Sequence, residues 1–595
     1  MTLKKIFPLA SLTAPVVLSC CSPEIPKDDR PNIIVILADD MGYSDLGCYG
    51  GEIETPNLDR LAQNGLRFTQ FYNAGRSCPS RAALLTGLYP HQAGVGLMTF
   101  DQRLPGYRGN LSHNSVTIAE ALKTVGYQTC MIGKWHVAET QLRSDQRQWI
   151  SHQVEYDEFT HRDNYPTQRG FDYCYGTIYG VINYFDPFSL VYGDKPVRSV
   201  PDDYYSTIAS GDSAVACVDR YARTDHPFFM YLAFHAPHWP LQALPEDIKK
   251  YEDIYKVGWE AIRNRRYARM RVSGLFGDRQ DFLSERRFND AWDDNPDSAW
   301  DARAMAVHAA MVDRMDQEVG KLIRALEKNG QLDNTLILFL VDNGCAAEEC
   351  QFYDGGSNDL PADLRNGQPV IFPQKKETMP GPANVNASIG PKWANVANTP
   401  FRLWKATMYE GGICTPAIAH WPKGITRKDG YTGELGNTVE KGDAGKNGET
   451  RVRGGSITDE RCHVIDIMAT CLELSGATYP ASYNGNDIIP LSGISFASLF
   501  KTGQRDHRHD HIGFEHYREK AFMTGDGWKI VQRQHHSEWD WELYDLKTDR
   551  TEMHDVAALY PEKVKELVIK FKEWAEQTAV IPSPEPLWGG PVDEF

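Results

Sequence analysis

Four runs of consecutive apolar residues stand out along the chain and predict buried strands. The first is Asn32–Ala38, and similar runs occupy residues 126–132, 228–234 and 336–341. Continuous apolar runs of this length are typical of parallel strands that are covered on both faces. Between the runs the apolar positions repeat at helical spacing, most clearly over residues 305–328. Strands that alternate with helices predict an α/β domain with a mostly parallel sheet.

Polar residues that could take part in catalysis or metal binding follow each of these predicted strands. They are Asp39 and Asp40, Lys134 and His136, His235 and His238, and Asp342 and Asn343. Ligands bind beyond the carboxyl ends of strands in open α/β sheets, so four such ends predict a functional site at one edge of the sheet. Asp39, Asp40, Asp342 and Asn343 offer only oxygen ligands, which favours Ca²⁺ or Mg²⁺ over zinc or copper. The Asp39-Asp40 pair alone would more simply cap the next helix or loop, and the second pair at an equivalent strand end favours a metal site.

The pattern changes after residue 345. Residues 346–400 and 424–456 are rich in glycine and polar residues, which predicts loops over the site and a surface insertion or linker. After these segments we expect a helix over 462–474, strands near 512–514, 528–532 and 541–546, and a helix over 561–576. We therefore predict a catalytic domain at 32–456 and a smaller α+β unit at 457–595.

The first 31 residues have the features of an export signal. Lys4 and Lys5 precede an apolar stretch at 6–18, which is too short to span a membrane. The segment that ends at Cys20 resembles a bacterial lipobox, and ordinary signal-peptidase cleavage nearby is the alternative. We expect a lipoprotein-type signal peptide at 1–20, a tether at 21–31, and a periplasmic or cell-surface protein held to the membrane only by its N-terminal lipid.

Composition narrows the class of protein further. The chain has 595 residues, of which 41% are hydrophobic, so it can bury a large core and form two to four domains. Its 63 basic and 80 acidic residues give a net charge of −17, which argues against a nucleic-acid partner. The twelve cysteines include no C-x-x-C pair that would suggest zinc. The arginines at 263, 265, 266 and 269 predict a solvated helix face, or alternatively a border of the cleft.

A short segment beginning at Ser77 connects the chain to a known family. Ser77-Cys78-Pro79-Ser80-Arg81 closely resembles the sulfatase signature C/S-x-P-x-R, whose first residue is oxidised to formylglycine after translation. Pro79 and Arg81 fit the signature only if Ser77 is the modified position. If Cys78 were the first residue, Ala82 would stand where the signature requires arginine. The segment is therefore similar to that of serine-type sulfatases, which depend on a dedicated maturation enzyme.

Further segments in the same order strengthen the resemblance. They are 133–136 (GKWH), 235–238 (HAPH), 341–344 (VDNG), 392–395 (KWAN), 398–401 (NTPF), 404–412 (WKATMYEGG) and 542–546 (ELYDL). The chain resembles type I, formylglycine-dependent sulfatases over residues 31–580, and bacterial arylsulfatases in particular. The resemblance implies an α/β fold of the alkaline-phosphatase type, with helices flanking a mostly parallel sheet, and a smaller C-terminal α+β domain.

The resemblance also implies a set of metal ligands and catalytic residues. The ligands of one Ca²⁺ would be Asp39, Asp40, Ser77, Asp342 and Asn343. The catalytic residues would be Ser77, Arg81, Lys134, His136, His238 and Lys405. Arg81 would steady the modified residue, the two lysines would bind the sulfate, His136 would accept a proton in regeneration and His238 would protonate the leaving oxygen. His235 is expected only to orient its turn.

The implied reaction is the hydrolysis of sulfate monoesters, either aryl sulfates or sulfated glycans. A hydroxyl of the hydrated formylglycine, activated by the metal, would attack sulfur, and the second hydroxyl would then allow sulfate to leave. The alternative is a phosphomonoesterase or phosphodiesterase of the same fold that uses unmodified Ser77. A lipid-anchored binder of sulfated glycans without turnover would require a degenerate site, and every expected residue is present.

Overall fold

The computed structural model describes residues 28–584, except for 140–158, 278–282, 286–287, 289, 351–360, 362, 426–454 and 536–537. The predicted signal peptide, the first seven residues of the predicted tether and most of the predicted insertion at 424–456 lie outside the described residues. Among the described helices, none combines the length and the apolar character needed to cross a membrane.

A sheet of eleven described strands forms the centre of the protein. The strands are β1 (Asn32–Ala38), β2 (Leu66–Tyr72), β3 (Gln128–Lys134), β4 (Tyr173–Thr177), β5 (Leu190–Tyr192), β6 (Lys195–Pro196), β7 (Phe228–Ala233), β8 (Thr335–Val341), β9 (Cys414–His420), β10 (Ser456–Thr458) and β11 (Cys462–His463). Their spatial order is β10-β2-β9-β8-β1-β7-β3-β4-β5-β6, and β11 also pairs with β2. The five strands from β8 to β4 are parallel, whereas β9 is antiparallel to both its neighbours.

Helices flank this sheet and bury its apolar strands. The described α-helices are α1 (Pro56–Gln63), α2 (Ser77–Thr86), α3 (Ile118–Lys123), α4 (Ser206–Tyr221), α5 (Pro245–Lys249), α6 (Trp259–Val272), α7 (Ser298–Lys328), α8 (Gly390–Ala397), α9 (Glu410–Ile413), α10 (Asp466–Ser475), α11 (Ser498–Thr502) and α12 (Pro561–Gln577). Every residue of β1 and β8 is buried, as their continuous apolar sequences predict. The α/β architecture expected from the sequence is confirmed.

The smaller C-terminal unit is built around an antiparallel sheet. Its strands are β14 (His511–His516), β15 (Glu519–Thr524), β16 (Trp528–His535) and β17 (Glu538–Asp545), preceded by a hairpin of β12 (Ser482–Tyr483) and β13 (Asn486–Asp487). Helix α12 packs against all four strands. Because β10 and β11 pair with β2, residues just after 456 belong to the large sheet. The predicted division into domains at 456 and 457 stays a prediction.

Several element boundaries differ from those expected. The helix predicted over 305–328 begins earlier, at Ser298. The helix predicted over 462–474 begins at Asp466, because residues 462 and 463 extend the sheet beside β2. Strands β2 and β9 were not predicted. Both mix polar and small residues with apolar ones, so neither has the continuous apolar run of the parallel strands.

A buried ionic network links the large sheet to the C-terminal unit. Lys529 of β16 lies with its Nζ 3.1 Å from Glu410 Oε1 and 2.6 Å from Glu552 Oε1. Arg550 contacts the other oxygen of Glu410 at 2.9 Å, and the hydroxyl of Tyr72 donates to that oxygen at 2.9 Å. These side chains are removed from water, so each charge depends on its partners for compensation.

Candidate active site

The polar residues that follow β1 and β8 meet at one edge of the sheet. The parallel register pairs Ala38 with Val341, the last residue of each strand. Asp39 and Asp342 therefore emerge side by side, and the backbone N–H of Asp40 lies 3.4 Å from Asp342 Oδ1. Asp40 has φ of 60°, a left-handed conformation that turns the chain sharply after the strand. The strand ends thus bring Asp39 and Asp40 close to Asp342 and Asn343.

The chemistry of this acidic cluster fits a hard cation. Asp39 Oδ1 and Asn343 Oδ1 are buried and have no hydrogen-bond partner among the described residues. Burial and the neighbouring Asp342 raise the pKa of Asp39 to about 8, since like charges that lack solvent favour protonation. An ion that prefers oxygen ligands, such as Ca²⁺, would be coordinated by these unpartnered oxygen atoms and would reduce the repulsion between the carboxylates. Asp39, Asp40 and His238 each offer one possible metal-ligand atom, and these three atoms lie within 4.8 Å of one another.

Ser77 lies beside this cluster, in the first turn of α2. Residues four apart share one face of a helix, so Arg81 Nε donates to Ser77 Oγ at 2.9 Å. The same guanidinium contacts Asp342 Oδ2 at 2.8 Å and donates to the carbonyl oxygen of Lys134 at 3.0 Å. One buried arginine therefore ties residue 77 to β8 and to β3.

A second side chain approaches Ser77 from the end of β3. His136 has φ of 53°, and its Nδ1 lies 3.4 Å from Ser77 Oγ. The other ring nitrogen, Nε2, lies 3.5 Å from Cys78 Sγ. Burial, together with the positive charges of Lys134 and Arg81, lowers the pKa of His136 well below its usual value. The imidazole is therefore neutral near pH 7 and can accept a proton.

Two lysines and a histidine complete the site on the side of the acidic cluster. Lys134 Nζ lies 2.5 Å from Asp39 Oδ2, and Lys405 Nζ lies 2.9 Å from Asp40 Oδ2 and 3.4 Å from His238 Nε2. His238 Nδ1 lies 2.5 Å from the carbonyl oxygen of Trp239. A carbonyl only accepts, so Nδ1 carries a hydrogen and Nε2 faces Lys405 and Asp40. Burial, together with the positive charge of Lys405, lowers the pKa of His238 well below its usual value.

All the residues that the sequence nominates are assembled in this one place, and His235 is the peripheral member. Its Nε2 lies 2.7 Å from the hydroxyl of Thr177, and its carbonyl oxygen accepts from the hydroxyl of Tyr184 at 2.7 Å. These contacts tie His235 to its surroundings in the turn after β7, and its orienting role stays a prediction.

The structure also shows neighbours of the site that sequence reasoning missed. Glu348 Oε1 lies 3.4 Å from Lys405 Nζ and 3.5 Å from Arg76 Nη2. The guanidinium of Arg76 lies over the ring of Tyr517, 5.6 Å from its centroid. Arg76 directly precedes Ser77, and Glu348 follows Asn343 by five positions, which are the only sequence signals for them. Nothing in the sequence signals Tyr517, because it comes from the C-terminal unit.

The predicted solvated arginine face is wrong for Arg263 and Arg266, which are both buried. Arg266 shows the cause. Its side chain is fully buried and lies 2.6 Å from Asp45 Oδ1 and 2.6 Å from Glu52 Oε1. His308 contacts the other oxygen of Asp45 at 3.0 Å, and the N–H of Gly42 donates to that oxygen at 2.9 Å. The arginine thus braces the turn that follows Asp40, which the local spacing of charges on a helix could not reveal.

The family described as "Sulfatase" matches residues 31–477, three quarters of the chain. The chain belongs to the sulfatase family. The family described as "N-sulphoglucosamine sulphohydrolase, C-terminal" matches residues 449–579 of this sulfatase. The resemblance drawn from the sequence is therefore confirmed.

Two curated relatives cover most of the sulfatase. An uncharacterized sulfatase of Schizosaccharomyces pombe is 30% identical over 94% of this chain and 96% of its own length. An arylsulfatase of Klebsiella aerogenes is 31% identical over 81% of this chain and 94% of its own. These relationships make the protein a sulfuric ester hydrolase, an enzyme of a family that is typically metal-dependent and typically uses formylglycine.

Solved structures share the fold. The crystal structure of Ps i-CgsB in complex with k-i-k-neocarrahexaose is 25% identical, with a TM-score of 0.61 over 92% of this sulfatase and 93% of that chain. The PsFucS1 sulfatase from Pseudoalteromonas sp. is 21% identical, with a TM-score of 0.57 over 94% of this chain and 92% of that one. The large sheet and the C-terminal unit are thus arranged as in other sulfatases.

Proposed function

We propose that this sulfatase hydrolyses sulfate monoesters through a formylglycine made from Ser77 and a bound Ca²⁺. The observation that carries the proposal is the position of Ser77 Oγ, 2.9 Å from Arg81 Nε. The guanidinium of Arg81 also donates to Asp342, so one arginine contacts both residues. Residue 77 thereby joins the acidic cluster whose unpartnered oxygens suit a hard cation. Asp39, Asp40, Asp342 and Asn343 would hold the ion together with residue 77.

The modified residue and the metal supply the chemistry that no standard side chain provides. When hydrated, formylglycine supplies a nucleophilic hydroxyl and a second hydroxyl that permits release of sulfate. When bound, Ca²⁺ supplies positive charge that favours ionisation of that hydroxyl and neutralises the sulfate oxygens. Arg81 holds residue 77 in place from the same helix, and the serine-type sequence implies a sulfatase-maturing enzyme as a partner during biosynthesis.

The other side chains divide the work of charge neutralisation and proton transfer. Lys134 and Lys405, each paired with one aspartate, place positive charge where the sulfate binds. His238 presents Nε2 beside Lys405 and protonates the leaving oxygen. His136, neutral and 3.4 Å from Ser77 Oγ, accepts the proton that residue 77 loses as sulfate departs.

The leaving-group dependence of activity tests the role of His238. We expect His238→Ala to lower kcat/KM by about 10²- to 10⁴-fold for alkyl sulfates, whose leaving oxygen needs a proton. For 4-nitrophenyl sulfate, whose leaving group departs as a stable anion, the loss should be at least about tenfold smaller. Steady-state kinetics with both substrates measures the difference. An equal loss for the two substrates would contradict the role of a proton donor.

Metal removal should destabilise the protein in a pH-dependent manner. In the metal-free enzyme the pKa of Asp39 is about 8, above its value of 3.8 when unfolded. The folded protein then binds the extra proton between these values, so its stability falls as the pH rises from 4 to 8. A bound cation removes this penalty. We therefore expect EDTA to lower Tm more at pH 8 than at pH 5.5, and equal shifts at the two pH values would count against the site.

The natural substrate is proposed to be a sulfated glycan or a sulfated aryl compound. A relative of 31% identity is an arylsulfatase, and a structural relative of 25% identity was solved in complex with k-i-k-neocarrahexaose. Matured enzyme should release sulfate from 4-nitrophenyl sulfate at a kcat/KM at least about 100-fold above that for 4-nitrophenyl phosphate. The reverse preference would support the phosphatase alternative, in which Ser77 acts unmodified.

We also propose that the enzyme is exported and acylated at Cys20. The support is the lipobox-like segment that ends at this residue and the basic residues that precede its apolar stretch. Metabolic labelling with a palmitate analogue tests the anchor. Wild-type protein should incorporate the label and Cys20→Ala should not, whereas a label retained by the variant would contradict acylation at this site.

A further inference from the structure

A carboxylate lies next to Lys405, on the side of the site where His238 is proposed to protonate the leaving oxygen. Glu348 Oε1 lies 3.4 Å from Lys405 Nζ and 3.5 Å from Arg76 Nη2, so it forms ion pairs with both side chains. Its second oxygen, Oε2, is buried and has no hydrogen-bond partner among the described residues. The side chain as a whole keeps 19% of its surface exposed. The carboxylate therefore retains capacity to accept a hydrogen bond beside the pair formed by Lys405 and His238.

The C-terminal unit holds the other side of this carboxylate in place. Strands β14 and β15 pair up to His516 and Glu519, which leaves Tyr517 and Arg518 as a two-residue turn. Both turn residues have positive φ, 50° and 70°, a conformation that costs energy for residues other than glycine, asparagine or aspartate. The turn directs Tyr517 against Arg76, and Arg76 in turn contacts Glu348.

A buried anchor maintains this strained turn. Glu515 Oε1 accepts from the N–H of Arg518 at 2.8 Å, and Glu515 Oε2 lies 2.8 Å from His91 Nε2 of the catalytic domain. Strained backbone persists only where its surroundings enforce it, and it concentrates at functional sites. The turn is therefore held in one position, with Tyr517 against Arg76.

A negative charge at this place has a consequence for substrate choice. A carboxylate beside a bound sulfate repels it, and the repulsion is large where solvent is excluded. The cost is offset when the substrate donates a hydrogen bond to the carboxylate, and hydrogen bonds to charged acceptors are the strong ones. A leaving group without a donor, such as nitrophenol, gains nothing from Glu348.

We propose that Glu348 is a specificity-determining residue that accepts a hydrogen bond from an O–H or N–H group adjacent to the sulfate ester. The enzyme would thus select sulfated polyhydroxylated alcohols, such as sugars, over aryl sulfates that lack a donor. This inference rests on the proposed sulfatase reaction and names its substrate class. Arg76 and Tyr517 act as positioning residues that hold the carboxylate.

A matched pair of synthetic substrates tests the proposal. The probes are 2-hydroxyphenyl sulfate, which carries a donor next to the ester, and 2-methoxyphenyl sulfate, which does not. With matured, metal-loaded wild-type enzyme we expect kcat/KM to favour the hydroxyl substrate by about 10- to 100-fold, the range for a charge-assisted hydrogen bond. In Glu348→Ala and Glu348→Gln the ratio should fall, to within about threefold of unity for alanine. If a substitution at Glu348 also disturbs Lys405, both substrates are affected alike, so the ratio of their kcat/KM values does not change for that reason.

The control is Glu349→Gln, which changes the adjacent carboxylate and should preserve the wild-type ratio. A wild-type ratio near unity, or a ratio that survives Glu348→Ala, overturns the inference and leaves the sulfatase reaction intact. Failure of matured wild-type enzyme to hydrolyse 4-nitrophenyl sulfate as well as both probes overturns the proposed function, and this inference falls with it.

Discussion

Replacing Ser77 with alanine is expected to lower kcat for sulfate ester hydrolysis by at least about 10⁴-fold, because the variant loses the atom from which the nucleophile is made. Ser77 Oγ accepts from Arg81, and the alanine variant keeps the remaining contacts of this arginine with Asp342 and Lys134. The fold should therefore persist. Sulfate release from 4-nitrophenyl sulfate, together with thermal unfolding, measures both effects.

The adjacent residue provides the matched control for this variant. Cys78 is buried next to Ser77, and its Sγ lies 3.5 Å from the far nitrogen of His136 and 3.6 Å from the sulfur of Met98. We expect Cys78→Ala to keep kcat within about tenfold of wild type. Substantial activity in Ser77→Ala, or loss of activity only in Cys78→Ala, would contradict the assignment of residue 77.

Replacing Lys529 with methionine is expected to destabilise the folded protein by about 3–5 kcal/mol. Its ammonium group lies between two buried carboxylates, at 3.1 Å from Glu410 and 2.6 Å from Glu552. Methionine has a similar length but no charge, so Glu552 loses the buried cation beside it, while Glu410 keeps its contact with Arg550. Denaturant unfolding of both proteins gives the difference in the free energy of unfolding.

An exposed lysine provides the comparison. Lys570 pairs with Glu566 one turn away on α12 at 2.7 Å, and half of its side-chain surface is exposed. Surface pairs of this kind contribute less than about 0.5 kcal/mol, so Lys570→Met should leave stability nearly unchanged. Equal effects of the two substitutions would show that the buried network does not secure the C-terminal unit.

The sequence carried enough information to predict the centre of the fold and most of the candidate site. Strands β1 and β8 are recognisable because both faces of each are covered, which leaves a continuous apolar run. Their polar ends then meet because parallel register places Ala38 opposite Val341. Local pattern and sheet geometry together therefore bring Asp39 and Asp342 to one edge.

Features that depend on distant partners could not be predicted in this way. Strand β9 is antiparallel between β2 and β8, and its mixture of small and polar residues has no strong period. Arg266 looks like a surface residue on a charged helix, and its burial depends on Asp45 and Glu52. Tyr517 lies 440 positions after Ser77 along the chain and reaches the site only through the docking of the C-terminal unit.

The mass of the tryptic peptide that spans 77–81 tests the central claim most directly. Trypsin cleaves after Arg76 and Arg81, so this peptide is released by itself. Protein made together with an active serine-type maturation enzyme should yield a peptide lighter by two hydrogens, with the loss assigned to Ser77 by fragmentation. An intact serine in protein that still hydrolyses sulfate esters would contradict the account, and so would an aldehyde located at Cys78.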